Sequence, residues 1–564
     1  MRISDTSDRW WKNAVIYCLD VERYLDTNDD GCGDLRGLAQ RIDYLAELGI
    51  TCLWLMPLNR TPGRDDGYDI TDFYAIDPRL GNFGEFVEVI RTANDRGIRV
   101  VMDLVINHTS DQHPWFVESR SSTESPYRDF YVWRDDPPTK NQPSAFPGDA
   151  ESIWEYDATT KQYYLHNFYK HQPDLNIAHP PVRDEIARIV GFWSELGVSG
   201  FRVDAVPFLI EAKSEAGGED STADADDEPL PDPHDFLADI SGFLSRRSSE
   251  AMMLGEVNLS HQEQLAYFGA GERRELQMQF DFVVMQSIYL AMVRHDSGPL
   301  KAALADRPEL PADCQWGNFL RNHDELTLDK LSDAERQEVF EAFAPDPGMR
   351  LYDRGIRRRL PTMLQGDRRR IRMAYSLMFS LPGAPVLFYG EEIGMGENLE
   401  VKDRYAVRTP MQWSAGPNAG FSRAPADTLV TPVVTGDFGP ERVNVAAQRR
   451  DPESLSHFLR TLIQAYRNSP EIGWGELTIL DHGDDRVLAH LVRADIGSML
   501  AVHNFADAPV ELSLSLPDLA PGSRLVDMLH NGVTPIDDGA LTLQLDPYGY
   551  RWLRITSDAD TRVG

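Results

Sequence analysis

Residues 98–108 read IRVVMDLVINH, an almost unbroken apolar run that closes on an asparagine and a histidine. Continuous apolar runs of this kind fit strands buried on both faces. A helical pattern from about Phe83 to Arg96 precedes it and stops at Gly97. Before that come TCLWLMP (Thr51 to Pro57), a helical pattern from Leu35 to Leu48 ending at Gly49, and VIYCLDV from Val15. Buried strands alternating with helices predict a parallel sheet. The alternation breaks from His108 to about Ala178, which is aromatic, Pro-rich and too long for a simple loop. It resumes with a helix near Arg183 to Leu196 and with GFRVDAV (Gly200 to Val206). MMLGEVN (Met252 to Asn258), ELQMQFDF (Glu275 to Phe282), WGNFLRNHD (Trp316 to Asp324) and PVLFYGEE (Pro385 to Glu392) follow.

Eight such units predict an α/β fold, a (β/α)8 TIM barrel with a small domain inserted after strand three. The expected division is barrel over 1–107, inserted domain over 108–178, barrel again over 179–475 and a C-terminal antiparallel β-sandwich over 476–564. The last rests on short apolar stretches between Gly, Asp and Pro turns. Two insertions stand out. Glu215 to Pro233 reads as a solvated acidic loop. Leu331 to Leu360, in a lid-like insertion over about 325–360, reads as a helical excursion, either a lid or packing element over the open end of the barrel or an oligomer contact.

The chain has 564 residues, 42% of them hydrophobic, enough for a large core. Asp and Glu number 90 against 56 Lys and Arg, a formal charge of −34, which argues against nucleic acid or an anionic membrane as partner. Four cysteines with no CxxC make no disulfide framework. No apolar leader opens the sequence, and the run Met373 to Tyr389 is interrupted by Pro382 and Pro385. The expectation is a cytoplasmic protein with no membrane partner and no organic cofactor; a homo-oligomer is compatible.

Active sites of such barrels lie at the C-terminal ends of the strands. There the sequence places Asp103, Asn107 and His108, then Arg202 and Asp204, then Glu256, then His323 and Asp324; Asp65 and Tyr68 follow strand two. Arg202 and Asp204 share a strand face that points into the barrel, where an arginine keeps a neighbouring aspartate ionised. Two carboxylates around one pocket suit retaining glycoside chemistry. Asp204 is the candidate nucleophile. Glu256, among apolar neighbours, is the candidate acid/base. Asp324 would hold sugar hydroxyls, His108 and His323 would hydrogen-bond them, and Tyr68 would stack on the ring. Separately, DTNDDGCGD puts Asp26, Asn28, Asp30 and Asp34 at alternate positions with the Cys32 carbonyl between. This is a hard-oxygen pattern for a structural Ca²⁺ or Mg²⁺, though not a true EF-hand.

With DLVINH, GFRVDAV, GEVN and FLRNHDE in this order, supported by QPDLN and GAPVLFYGEEIG, the chain resembles the α-amylase superfamily, glycoside hydrolase family 13. The resemblance implies the same roles for Asp204, Glu256 and Asp324. It implies a glucose subsite formed by Arg202, His108, His323 and Tyr68. DDGYDITDF, QPDLN and VRTPMQW resemble the trehalose synthase and α-glucosidase branch, in which residues matching Asp65 and Arg408 close the glucose pocket. That implies a small α-glucoside substrate, with maltose-to-trehalose isomerisation leading and hydrolysis or transfer to another acceptor as alternatives. The resemblance also implies a second metal site formed by Asn107, Asp174, Glu211 and the carbonyls of Phe208 and Leu209.

Overall fold

The computed structural model describes residues 9–136, 144–146, 151–209, 233–271, 273–516, 519, 522–530, 532–536 and 539–556. Eight parallel strands close into one barrel. They are β1 (Ile16–Leu19), β2 (Cys52–Leu55), β3 (Arg99–Leu104), β4 (Gly200–Val203), β5 (Met252–Gly255), β6 (Met278–Phe280), β7 (Gln315–Phe319) and β8 (Ala384–Phe388). Each pairs with its sequence neighbours, and Ile16 opposite Val386 shuts the ring. The strands are shorter than the apolar runs in the sequence. β4 ends at Val203 and β7 at Phe319, so Asp204, His323 and Asp324 lie past the strand ends. At the rim the chain has to turn, and Ala205 does so at φ 49°.

The first helix shows why the outer layer forms. In α1 (Leu35–Leu48) the buried Leu35, Leu38, Ile42 and Leu45 recur at helical spacing. Asp34 caps its start by accepting from the Gly37 amide at 2.7 Å. Gly49 ends it at φ +98°, where a Cβ would meet Ile463 at 2.7 Å.

The segment after β3 carries a small sheet of Trp133–Arg134, Gln162–Leu165 and Trp154–Asp157. Phe116, Tyr131 and Tyr164 pack beneath it, a bridge from Tyr131 to Leu175 braces it, and one from His108 to Asp174 ties it to the barrel rim. After β7, the helix Asp333–Phe343 leads to a hairpin, Arg350–Leu351 with Gly355–Ile356, which adds to Leu326–Thr327. The acidic insertion lies outside the described residues up to Pro233, where a helix begins. Near the C-terminus a six-stranded antiparallel sheet faces the pair Val510–Ser515 and Ala540–Leu545 across a leucine-rich core. All four cysteines are free and buried. No helix among the described residues is long and apolar enough to cross a membrane.

The C-terminal sheet meets the barrel through two buried imidazoles. His490 Nε2 donates to the Ser380 carbonyl at 3.0 Å, and His503 Nε2 lies 2.9 Å from Ser376 Oγ. The rings are parallel within 6°, and neither Nδ1 has a hydrogen-bond partner among the described residues. Burial pushes His490 down to about 4 and His503 well below its ordinary value. Each ring is folded as the neutral form, so its contribution is whole above the unfolded value of about 6.5. That contribution is lost as pH falls toward 4. Melting temperature is therefore expected to fall across this window, and His490→Gln to flatten the fall; an unchanged slope in the variant would contradict the assignment.

Candidate active site

Arg202 rises from the second-last position of β4 into the barrel axis and is 1% exposed. Its Nη1 meets Asp103 Oδ1 at 2.6 Å and Asp204 Oδ1 at 2.5 Å, and its Nη2 meets Glu256 Oε2 at 2.8 Å. Trp54 donates to Asp103 from below at 2.9 Å. One guanidinium thus grips a residue of β3 and the residues that directly follow β4 and β5. It confines the Asp204 and Glu256 carboxylates to less than ~8 Å, excluding the wide end of inverting pairs. The Ala205 amide donates to Glu256 Oε2 at 3.1 Å, fixing the second carboxylate against the turn that holds the first.

Burial raises both groups. Asp204 is pushed up to about 6, with Arg202 pulling it back; Glu256 is pushed up to about 7, helped by the charges of Asp204 and Asp324. Around neutrality, then, the aspartate loses its proton before the glutamate, as a nucleophile and its acid partner require. Burial would raise Asp324 too, but His323, Arg404 and Arg408 outweigh it and hold this carboxyl well below the usual range. Asp324 Oδ1 sits 2.6 Å from Arg404 Nη1 and 2.9 Å from Arg408 Nη2, and Oδ2 sits 3.0 Å from His323 Nε2. Burial lowers His323 to about 4, so its ring is a neutral donor.

A cavity of about 270 Å³ opens above these groups, lined by Asp204, Glu256 and Asp324 together with Asp65, Tyr68 and His108. Arg202 and His323 are the layer beneath. Tyr68 packs its ring parallel to His323 at 5.6 Å and also borders the cavity. His108 Nε2 faces the Tyr68 carbonyl at 3.0 Å, joining the two loops. The far side of the cavity is formed by residues the sequence did not single out: Asn258, Asp329, Glu325 and Arg354, with Phe146 and Phe168 from the inserted segment.

Of the two residues expected to close the glucose pocket, Asp65 lines the cavity and Arg408 does not. Asp65 is bound by Arg404, at 2.6 Å, and by Gln172, at 2.8 Å; Arg408 binds Asp66 instead, at 2.7 Å. Arg408 is 0% exposed and spends its Nε on the His323 carbonyl, which keeps it below the cavity floor. Arg404, four positions earlier in the same loop, is the arginine at the cavity wall.

The loop expected to hold a metal is curled by its own side chains. Asp26 accepts from the amides of Asn28, Asp29 and Gly31, Asn28 from that of Asp30, and Asp30 from that of Cys32. Asp34 accepts from Thr27 while capping α1. Asn107 and Asp174 are brought together where Leu175 N meets the Asn107 carbonyl, at 2.8 Å. Phe208 packs on Phe168, Leu209 is buried, and Glu211 lies outside the described residues. Among the described residues a different trio, Asp20, Glu22 and Asp66, brings carboxylate oxygens within 4.8 Å of one another, an arrangement that could coordinate a divalent ion. Arg23 Nη1 touches all three, at 2.9 Å from Glu22 and 2.7 Å from Asp66, and already supplies a cation there.

The α-amylase catalytic domain family matches residues 18–341 and 356–475, and the sucrose hydrolase-like C-terminal domain matches 497–554. The chain belongs to the α-amylase family. It is 41% identical over 545 residues to the trehalose synthase of Thermus thermophilus, covering 96% of this chain and 55% of that longer protein. It is 39% identical over 570 residues to the trehalose synthase/amylase of Mycolicibacterium smegmatis, covering 98% of this chain and 94% of the relative. The solved isomaltulose synthase SmuA from Protaminobacter rubrum superposes with a TM-score of 0.77 at 26% identity, covering 97% and 99% of the two chains. This family member is a retaining enzyme that transfers α-glucosyl units of short α-glucosides.

With Asp204 as the expected nucleophile and Glu256 as the expected acid, the pair predicts a pH dependence. kcat/KM is expected to rise with an apparent pKa near 6 as Asp204 ionises and to fall near 7 as Glu256 loses its proton. Glu256→Gln should cut turnover of a disaccharide by about 10²–10⁴-fold and abolish the alkaline limb. A variant that keeps the alkaline limb would remove Glu256 from the acid role.

Proposed function

We propose that the enzyme isomerises maltose to trehalose within one closed pocket. Asp204 attacks C1 of the non-reducing glucosyl unit while Glu256 protonates the leaving oxygen, giving a β-glucosyl-enzyme and free glucose. The retained glucose turns and presents its anomeric hydroxyl. Glu256 takes the proton from that hydroxyl, its oxygen attacks C1, the bond to Asp204 breaks, and an α,α-1,1 linkage forms. Water attacking instead gives glucose, so product choice depends on excluding water during the intermediate.

The observation that carries this reading is a clasp over the cavity. The hairpin after β7 places Tyr352 against Phe146 of the inserted segment, ring centroids 5.2 Å apart and 25° from parallel. Its Arg354 donates to the Ala145 carbonyl at 2.9 Å and pairs with Glu325 at 3.4 Å. A wall made by two separate insertions suits an enzyme that must retain its first product. The likeness to trehalose synthases supports the same reading. A cytoplasmic setting agrees with four unpaired thiols, and a small soluble disaccharide needs no membrane or nucleic-acid partner.

Incubation with maltose alone should yield trehalose in excess of glucose. Tyr352→Ala is expected to raise the ratio of glucose to trehalose several-fold, with total maltose consumption changed less. Glucose as the sole product of the unmodified enzyme would reject isomerisation in favour of hydrolysis; an unchanged ratio in the variant would reject the clasp.

We also propose that Asp26, Asn28, Asp30, Asp34 and the Cys32 carbonyl hold a structural Ca²⁺, or Mg²⁺. Their donor set is all oxygen, with three carboxylates on one tight turn, which suits a hard cation. The same chemistry supports a second site at Asn107 and Asp174. Chelation should lower the melting temperature, and Ca²⁺ should restore it in the parent protein but not in an Asp30→Ala variant. Equal restoration in both would clear the first loop of the role.

A further inference from the structure

Two arginines four positions apart, each backed by one of two consecutive aspartates, converge on one oxygen. Asp324 Oδ1 lies between Arg404 and Arg408, at 2.6 and 2.9 Å. Behind Arg404 stands Asp65, at 2.6 Å; behind Arg408 stands Asp66, at 2.7 Å. The two halves are not equivalent. Asp65 and Arg404 border the cavity and can touch a sugar, whereas Asp66 and Arg408 do not border it.

Arg408 uses its whole fork. Nε donates to the His323 carbonyl at 2.8 Å, Nη1 to Asp66 and Nη2 to Asp324. It therefore fixes both the main chain beyond β7 and the side chain that follows it. Asp66 is anchored in turn, because its second oxygen lies 2.7 Å from Arg23 Nη1. Arg23 is held by Thr431 Oγ1 at 2.9 Å, and its carbonyl accepts from the Met411 amide at 2.9 Å. Asp66 also adopts φ 53°, a left-handed backbone that a non-glycine residue takes only where its surroundings enforce it.

We propose that Asp66 is a positioning residue for glucosyl transfer, acting through Arg408 to set the direction of the Asp324 carboxylate. The proposal rests on reading the cavity as the glucosyl-transfer site. Asp324 must accept from ring hydroxyls more strongly in the oxocarbenium-like transition state than in the bound substrate. A carboxylate between two unbalanced arginines would be drawn onto them and away from the sugar. Asp66 opposes half of that pull, and the rigid three-pronged fork converts its place into a fixed orientation for Asp324 Oδ2, the oxygen turned toward His323.

The test uses the full chain and aryl α-glucosides of graded leaving-group acidity, with active sites counted from the initial burst or by a tight-binding inhibitor. Asp66→Asn keeps shape and removes charge. It should lower kcat per active site by about 10–100-fold, with KM moved by less than about threefold. The loss should be equal for good and poor leaving groups, because Asp324 holds the ring and not the departing oxygen. Should Asp66→Asn fold poorly, Arg408→Lys keeps the charge but not the fork, and the same loss is expected. Combining both substitutions should cost no more than the worse of the two. Full kcat per active site in either folded variant would overturn the proposal. So would a loss that grows with poorer leaving groups, which would place the damage at Glu256. Aryl glucosides report glucosyl transfer whether or not maltose becomes trehalose, so failure of the isomerase reading would show separately.

Discussion

One arginine inside the barrel carries three carboxylates, and the site is built around it. Asp103 lies in β3, Asp204 and Glu256 directly follow β4 and β5, and the three would repel one another in a low-dielectric interior. Arg202 makes their meeting possible, with its guanidinium 5.2 Å from the Trp54 ring. Removing one partner of such a buried cluster costs about 3–5 kcal/mol, because the others are left uncompensated. The balance is also chemical. Three negative groups share one positive group; burial raises all three carboxyls, and the guanidinium contact pulls each of them back toward the ionised form.

Above this fixed floor the pocket is completed by loops whose sequence separation is large. Gln172 of the inserted segment reaches Asp65, Arg404 joins Asp65 to Asp324, and Arg354 joins the hairpin after β7 to Ala145. The barrel supplies precision at the reacting carbon, and the insertions decide what else is admitted. That division lets one catalytic set serve isomerases and hydrolases alike.

The floor was legible in the sequence because strand period and strand-end chemistry constrain it. Arg202 and Asp204 had to share a face, and isolated charges at barrel strand ends have few structural explanations. The roof was not legible. Arg404 stands outside the RTPMQW stretch that drew attention to Arg408, and only the folded loop shows which guanidinium reaches Asp65. Asp66 carries no signal of its own beside Asp65, because only the folded loops show that each aspartate takes its own arginine. Arg23 likewise gave no signal, since nothing local says that it will sit among Asp20, Glu22 and Asp66. The excursion after Leu331 is helical over Asp333–Phe343 and then forms a hairpin that the sequence does not announce; Tyr352 and Asp353 turn it at φ 57° and 52° without the glycine or asparagine that marks such turns.

Retention through a glucosyl-enzyme requires Asp204 to form a covalent bond to the sugar. Trapping with 5-fluoro-α-glucosyl fluoride, followed by peptide mapping, tests it most directly. A fluoroglucosyl adduct on the peptide GFRVDAV, localised to Asp204, is the result expected. An adduct elsewhere, or turnover of the probe to an inverted product with no adduct, would contradict the mechanism.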